Sequence, residues 1–224
     1  MRPRFRFVGL LGAADAITVA NAAIGFVAVV LAPRAPVTAA RVVLLAAIAD
    51  ALDGIVARRY GGTEAGPYLD SLADVASFVV APAVLVTSRG LAAWEGPVAT
   101  GVAVVCPALF VAAGVARLGL YTAYDSASDE TRGVQTTLAA TVLAASVLAG
   151  IVTPPALVGL TGVLAVLMVC RVPYPDLHPQ DASVMGLVQA AAILARGWIG
   201  RGFAYALLFL ALAYLLFAPR WYWS

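Results

Sequence analysis

About eight apolar stretches run along the chain, each separated from the next by a gap rich in charge, glycine or proline. They cover roughly Asp15 to Leu31, Val37 to Arg59, Pro67 to Thr87, Pro97 to Leu118, Val134 to Val152, Pro154 to Cys170, Ala182 to Ala195 and Phe203 to Ala218. A helix needs about 20 predominantly apolar residues to cross a bilayer core, so the pattern predicts an all-α, polytopic membrane protein of about eight transmembrane helices. The seventh stretch is short. Pro33-Arg34-Ala35-Pro36 ends the first, and Tyr121 through Gly133 forms a polar loop holding Asp125, Asp129, Glu130 and Arg132. The segment Arg171 to Pro179 carries too many prolines to be helical. Trp221, Tyr222 and Trp223 follow the last stretch, where aromatic residues favour the membrane interface.

Composition agrees with this layout. The 224 residues are 62% hydrophobic and 12% charged, half the roughly 25% charge of soluble domains, and the mean hydropathy is +0.94. A net charge of +2 gives no reason to expect a nucleic-acid partner. All fourteen basic residues are Arg, which a GC-rich coding sequence explains as well as function does. Cys106 and Cys170 lie far apart in apolar runs and read as inert buried thiols. Arg2, Arg4 and Arg6 alternate with apolar residues and predict a short interfacial segment with snorkelling side chains rather than a cleaved leader. His178, the only histidine, reads as a loop residue without a role.

Orientation follows from arginine. With the N-terminus in the cytoplasm, Arg2, Arg4, Arg6, Arg58, Arg59, Arg117, Arg132, Arg171 and Arg220 fall on the inner side, and Arg34, Arg41, Arg89, Arg196 and Arg201 on the outer. Nine against five favours this topology. It places both ends and the loop between the second and third spans in the cytoplasm of a multi-pass cell-membrane protein.

Against this background, four aspartates stand out. Asp50 and Asp53 lie near the inner end of the second span, Asp70 and Asp74 near the inner start of the third. An aspartate at the centre of a spanning helix costs on the order of 2.5–3.5 kcal/mol, so four near one membrane face need compensation. At about 100° per residue, Asp50, Asp53, Gly54 and Ala57 share an arc of roughly 100°, and Gly66, Asp70 and Asp74 an arc of about 80°. Two helices joined by a short loop can bring these faces together. Hard oxygen donors of this kind suit Mg²⁺, Mn²⁺ or Ca²⁺, and the small residues leave space for a phosphate-bearing substrate. A cation or proton pathway through intramembrane carboxylates is the competing reading. Against it, there is no internal repeat, and the acids cluster at one membrane face rather than through its depth.

The spacing Asp50-x-x-Asp53-Gly54-x-x-Ala57-Arg58, seven residues, then Gly66-x-x-x-Asp70-x-x-x-Asp74 resembles the signature of the CDP-alcohol phosphotransferase family at every fixed position. The resemblance implies one integral membrane domain over 1–224, with the signature at 50–74, a family core at about 15–170 and additional helices at about 182–218. It implies transfer of a phosphatidyl-type group from a CDP-linked lipid to an alcohol, with release of CMP. Two divalent cations, Mg²⁺ or Mn²⁺, would be held by Asp50, Asp53, Asp70 and Asp74, the last also serving as general base. Gly54, Ala57 and Gly66 would line the nucleotide pocket beside Asp50, Asp53 and Asp70, and Arg58 would contact the nucleotide or its phosphates. A homodimer is implied as well.

Weaker likenesses point to the acceptor. Ala116-Arg117-Leu118-Gly119, Gly133-Val134-Gln135-Thr136-Thr137, Ile17-Thr18-x-x-Asn21 and Val172-Pro173-Tyr174-Pro175 resemble stretches of the phosphatidylserine and archaetidylserine synthase subgroup. Gln135 and Thr137 replace the usual prolines, and Leu118-Gly119 replaces Phe-Asn. The acceptor implied is L-serine, with Arg117 and Arg132 supplying positive charge for its carboxylate. Glycerol 3-phosphate or inositol phosphate are the alternatives. The all-Arg usage and the acidic loop at 125–130 resemble halophilic archaeal relatives, whose donor would be CDP-archaeol rather than CDP-diacylglycerol.

Overall fold

The computed structural model describes residues 8–125, 130–151, 153–175 and 178–221. The N-terminal arginine segment (Arg2, Arg4, Arg6), the middle of the acidic loop with Asp129, and Tyr222 and Trp223 of the tail lie outside the described residues. After a short turn at Val8–Leu10 come α1 (Ala13–Leu31), α2 (Pro36–Tyr60), α3 (Gly66–Asp74), α4 (Ala81–Ala93), α5 (Pro97–Leu120), α6 (Thr136–Ala149), α7 (Pro154–Val169), α8 (Pro179–Leu194) and α9 (Gly197–Trp221). A π-helical stretch, Val75–Val80, joins α3 to α4 in one rod, and a second, Tyr121–Asp125, extends α5.

Among the described residues, the eight predicted spans appear as eight helical rods. Four of them, Ala13–Leu31, Gly66–Ala93, Pro97–Tyr124 and Gly197–Arg220, are long and apolar enough to cross a membrane by length and composition. The chain is a polytopic helical membrane protein. Several boundaries differ from expectation. The third rod continues to Ala93, and the last begins at Gly197 rather than Phe203. α8 begins at Pro179, where proline fits the first helical position because no backbone donor is needed there. The polar loop after α5 and the proline-rich loop after α7 are not wholly irregular: β1 (Glu130–Arg132) pairs antiparallel with β2 (Pro173–Pro175), with Thr131 opposite Tyr174. The Tyr174 hydroxyl donates to the Leu215 carbonyl (3.1 Å) and that of Tyr214 to the Pro175 carbonyl, tying the strand pair to α9. Cys106 and Cys170 are free, half-buried thiols.

α6 is the hub. Its residues from Leu138 to Ala149 are all buried, as expected for a helix apolar on every side, and it packs against α2, α9, α7 and α4. Around it the rods alternate in direction, so the starts of α1, α3 and α6 and the ends of α2 and α5 meet at one end of the bundle.

Two close approaches set the position of the third rod. A Cβ on Gly25 of α1 would lie 2.5 Å from the Ser77 hydroxyl, and one on Gly114 of α5 would lie 2.7 Å from a Val79 methyl. The π-helical stretch is therefore wedged between α1 and α5, and the Ser77 hydroxyl donates to the Asn21 carbonyl at 2.8 Å. Overpacking costs about 1–3 kcal/mol. Gly25→Leu is expected to lower the thermal unfolding midpoint in detergent well below that of Gly101→Leu, since Gly101 faces open space. Equal midpoints for the two variants would contradict this packing.

Candidate active site

The carboxylates occupy the end where α2 finishes and α3 begins. One oxygen from each of Asp50, Asp70 and Asp74 lies within 4.8 Å of the other two. Two unit charges 4 Å apart repel by about 4 kcal/mol at an effective dielectric of 20, so three carboxylates do not rest there uncompensated. Asp74 is 8% exposed. Its Oδ2 accepts a long hydrogen bond from Thr136 Oγ1 (3.4 Å), and its Oδ1 is buried with no hydrogen-bond partner among the described residues. Oxygen-only donors in a tight group, one of them orphaned, fit a hard divalent cation.

Asp53 stands outside this trio. It is 5% exposed, and its Oδ2 accepts from Thr18 Oγ1 of α1 at 2.6 Å. It borders two adjoining cavities. The first, of about 480 Å³, is lined by Asp50, Asp53, Asp70 and Asp74 together with Arg58, Arg117 and the start of α6 at Gln135, Thr136 and Thr137. The second, of about 350 Å³, lies between α1, α2 and α3 and is walled by Gly54, Ala57 and Gly66 with Asp53 and Asp70. The three small residues expected to make room thus line space. Arg58 folds back along α2, where a Cβ on Gly54 would lie 3.4 Å from its Nη1.

The two arginines expected at the acceptor part company. Arg117, in the last turn of α5, is 8% exposed, lines the larger cavity beside Asp74 and sits over the Tyr121 ring, 5.9 Å from its centroid. Arg132 is exposed and does not line the cavity. Pairing of β1 with β2 holds it with the strand that is anchored to α9.

Two features escaped sequence reasoning. The first is Asp15, 2% exposed, whose Oδ2 accepts from the Gly12 amide (2.7 Å) and from Thr63 Oγ1 (2.8 Å). Thr63 Oγ1 in turn accepts from the Gly66 amide at 3.1 Å. This chain of bonds ties the start of α1 to the loop before α3 and so fixes the mouth of the smaller cavity. An aspartate at a predicted helix start, with Thr63 before Gly66, was the available signal. The second is the α6 N-terminus at the larger cavity, whose free amides and positive dipole end favour a phosphate.

The comparisons with known proteins agree with the geometry. The chain is 29% identical over 178 residues to the archaetidylserine synthase of Methanothermobacter thermautotrophicus (strain Delta H), covering 75% of this chain and 72% of that protein. A family model described as CDP-alcohol phosphatidyltransferase matches residues 11–221, from the start of α1 to the end of α9 and through the whole aspartate-bearing end of the bundle. On the strength of that match, this membrane protein belongs to the CDP-alcohol phosphatidyltransferase family.

Proposed function

We propose that the chain transfers a lipid phosphoryl group from CDP-archaeol to the hydroxyl of L-serine, releasing CMP, with its active site on the cytoplasmic face. The convergence of Asp50, Asp70 and Asp74 on a cavity that also holds Arg117 carries this reading. The likeness to an archaetidylserine synthase supports serine and an archaeol donor. The arginine distribution supports the orientation, and the family resemblance supports a homodimer.

In this reading Asp50, Asp70 and Asp74, with Asp53 at their edge, would hold divalent Mg²⁺ or Mn²⁺. Bound there, the cations would supply positive charge to offset that of the donor diphosphate and of the CMP leaving group. The protein's own residues do the rest. The cytidine occupies the smaller cavity, where Gly54, Ala57 and Gly66 leave the helix surfaces bare. Arg58 pairs with the nucleotide phosphates, and the amides at the start of α6 face the lipid phosphate. Arg117 binds the serine carboxylate and thereby orients its hydroxyl toward Asp74. Asp74 takes the hydroxyl proton as the serine oxygen forms its bond to the lipid-bearing phosphorus. The bond from that phosphorus to the CMP oxygen breaks, and CMP leaves with the electron pair.

Purified protein supplied with CDP-archaeol and with serine, glycerol 3-phosphate or inositol phosphate in turn is expected to release CMP with serine alone. Release only with another alcohol would overturn the serine assignment, and none with any would overturn the enzyme reading. A hydrogen bond to a charged group is worth about 1.5–3 kcal/mol, so Arg117→Gln is expected to raise the serine KM by about 10- to 100-fold with little change in the KM for the CDP-lipid. Arg132→Gln, outside the cavity, is expected to leave both near wild type. The opposite ranking would return the acceptor site to β1.

A further inference from the structure

The end of the bundle remote from the carboxylates holds a cavity of its own. It measures about 250 Å³ and is enclosed by Val37 and Arg41 of α2, the end of α6 with Gly150, Ala192 of α8, and Gly197, Gly200 and Arg201 of α9. Arg41 precedes Asp50 by nine residues, roughly 13 Å along the helix at 1.5 Å per residue, and α6 runs from the first site at Thr136 to this one at Ala149. The two cavities therefore lie at opposite ends of the same pair of helices.

The electrostatics of this end are unbalanced. Arg34, Arg41, Arg89, Arg196 and Arg201 all fall here, and Glu95 is the only acidic residue among those described at this end. Arg41 is only partly committed. Its Nη2 donates to the Ala195 carbonyl at 3.0 Å, while its Nε is buried with no hydrogen-bond partner among the described residues. That bond also occupies the C-cap carbonyl of α8, a group that would otherwise repel an anion. The opening turn of α9, including Gly197 and Gly200, borders the same space and adds the positive end of a helix dipole. Arg201, one turn further on, is exposed at the rim.

We propose that this cavity binds a phosphate group, either borne by an anionic lipid headgroup or free in solution. Two guanidinium groups and a helix N-terminus are the donors that phosphate recognition uses. The volume is below the ~300–1,000 Å³ typical of pockets for drug-sized ligands, which fits a headgroup rather than a whole lipid. Val37, Val147, Leu148 and Ala192 give the cavity apolar walls. Outside it, Leu194 and Trp198 are 80% and 83% exposed, a flank suited to the acyl region beside a headgroup. The site does not depend on the transfer reaction.

The test uses delipidated full-length protein in detergent with EDTA present, so that the carboxylate end holds no cation. Native mass spectrometry with phosphatidylglycerol and phosphatidylcholine reads the lipid source, and calorimetric titration with inorganic phosphate reads the soluble one. Wild type and Asp74→Asn are expected to retain phosphatidylglycerol about tenfold better than phosphatidylcholine. Arg201→Gln is expected to lose that preference, and Arg201→Lys to recover part of it. Arg41→Gln should behave like Arg201→Gln, but it also removes the bond to Ala195, so Arg201, which carries no such bond, is the deciding position. Phosphate binding without phosphatidylglycerol retention, lost in Arg201→Gln, would support the site with free phosphate as its ligand. Retention of either ligand unchanged in Arg201→Gln, or no binding by the wild type, would overturn the proposal.

Discussion

Asp74→Asn is expected to lower serine-dependent CMP release by at least about 10³-fold while leaving CDP-lipid binding within a few-fold of wild type. A general base contributes typically 10²–10⁴-fold, and the amide keeps the shape of the carboxylate while losing the negative charge and basicity that let it take the proton. The position supports this role. Asp74 is nearly enclosed, its Oδ1 has no hydrogen-bond partner among the described residues, and Arg117 is close enough to act on it electrostatically. The rate of CMP release checks the first half of the expectation, and equilibrium binding of a labelled CDP-lipid checks the second. Activity within tenfold of wild type would remove Asp74 as the base, whereas loss of donor binding would make it chiefly a ligand.

Removal of divalent cations is expected to have an effect of the same order. After EDTA treatment CMP release should fall to background, and Mg²⁺ or Mn²⁺ should restore it where Zn²⁺ does not, because the cluster offers carboxylates and neither His nor Cys. A second readout follows from charge repulsion among Asp50, Asp70 and Asp74. The metal-free protein should unfold at a lower temperature than the loaded one, since a ligand that binds only the folded state stabilises it. Asp50→Asn should narrow that gap by relieving repulsion in the absence of metal. Full activity in EDTA, or a thermal midpoint indifferent to Mg²⁺, would contradict the metal reading.

Much of this was legible in the sequence because it is local. Apolar runs and proline breaks give the eight rods, and the i to i+4 spacing of Gly66, Asp70 and Asp74 places them on one helix face without reference to any other part of the chain. Gly54, Ala57 and Gly66 could be read as room for a ligand because the absence of a side chain is itself local. The features that were not legible depend on partners distant in sequence. The π-helical stretch after Asp74 arises where α1 and α5 press in at Gly25 and Gly114, and no periodicity within 75–80 announces it. Asp53 shares a helix face with Asp50, yet Thr18, 35 residues away, draws its carboxylate toward α1. Arg132 looked equivalent to Arg117 as an inner-side cation, and only the strand pairing with Pro173–Pro175 separates them. The role of Asp15 as a clamp on Thr63 is likewise a contact across 48 residues.

Transfer to serine, as distinct from hydrolysis or another acceptor, is decided by following the serine itself. The full-length protein would be incubated with CDP-archaeol, Mg²⁺ and radiolabelled L-serine, and the label in extracted lipid compared with the CMP released. One labelled lipid per CMP, both abolished by EDTA, is the expected result. CMP release without labelled lipid, or labelled lipid formed without CMP, would contradict the proposed reaction.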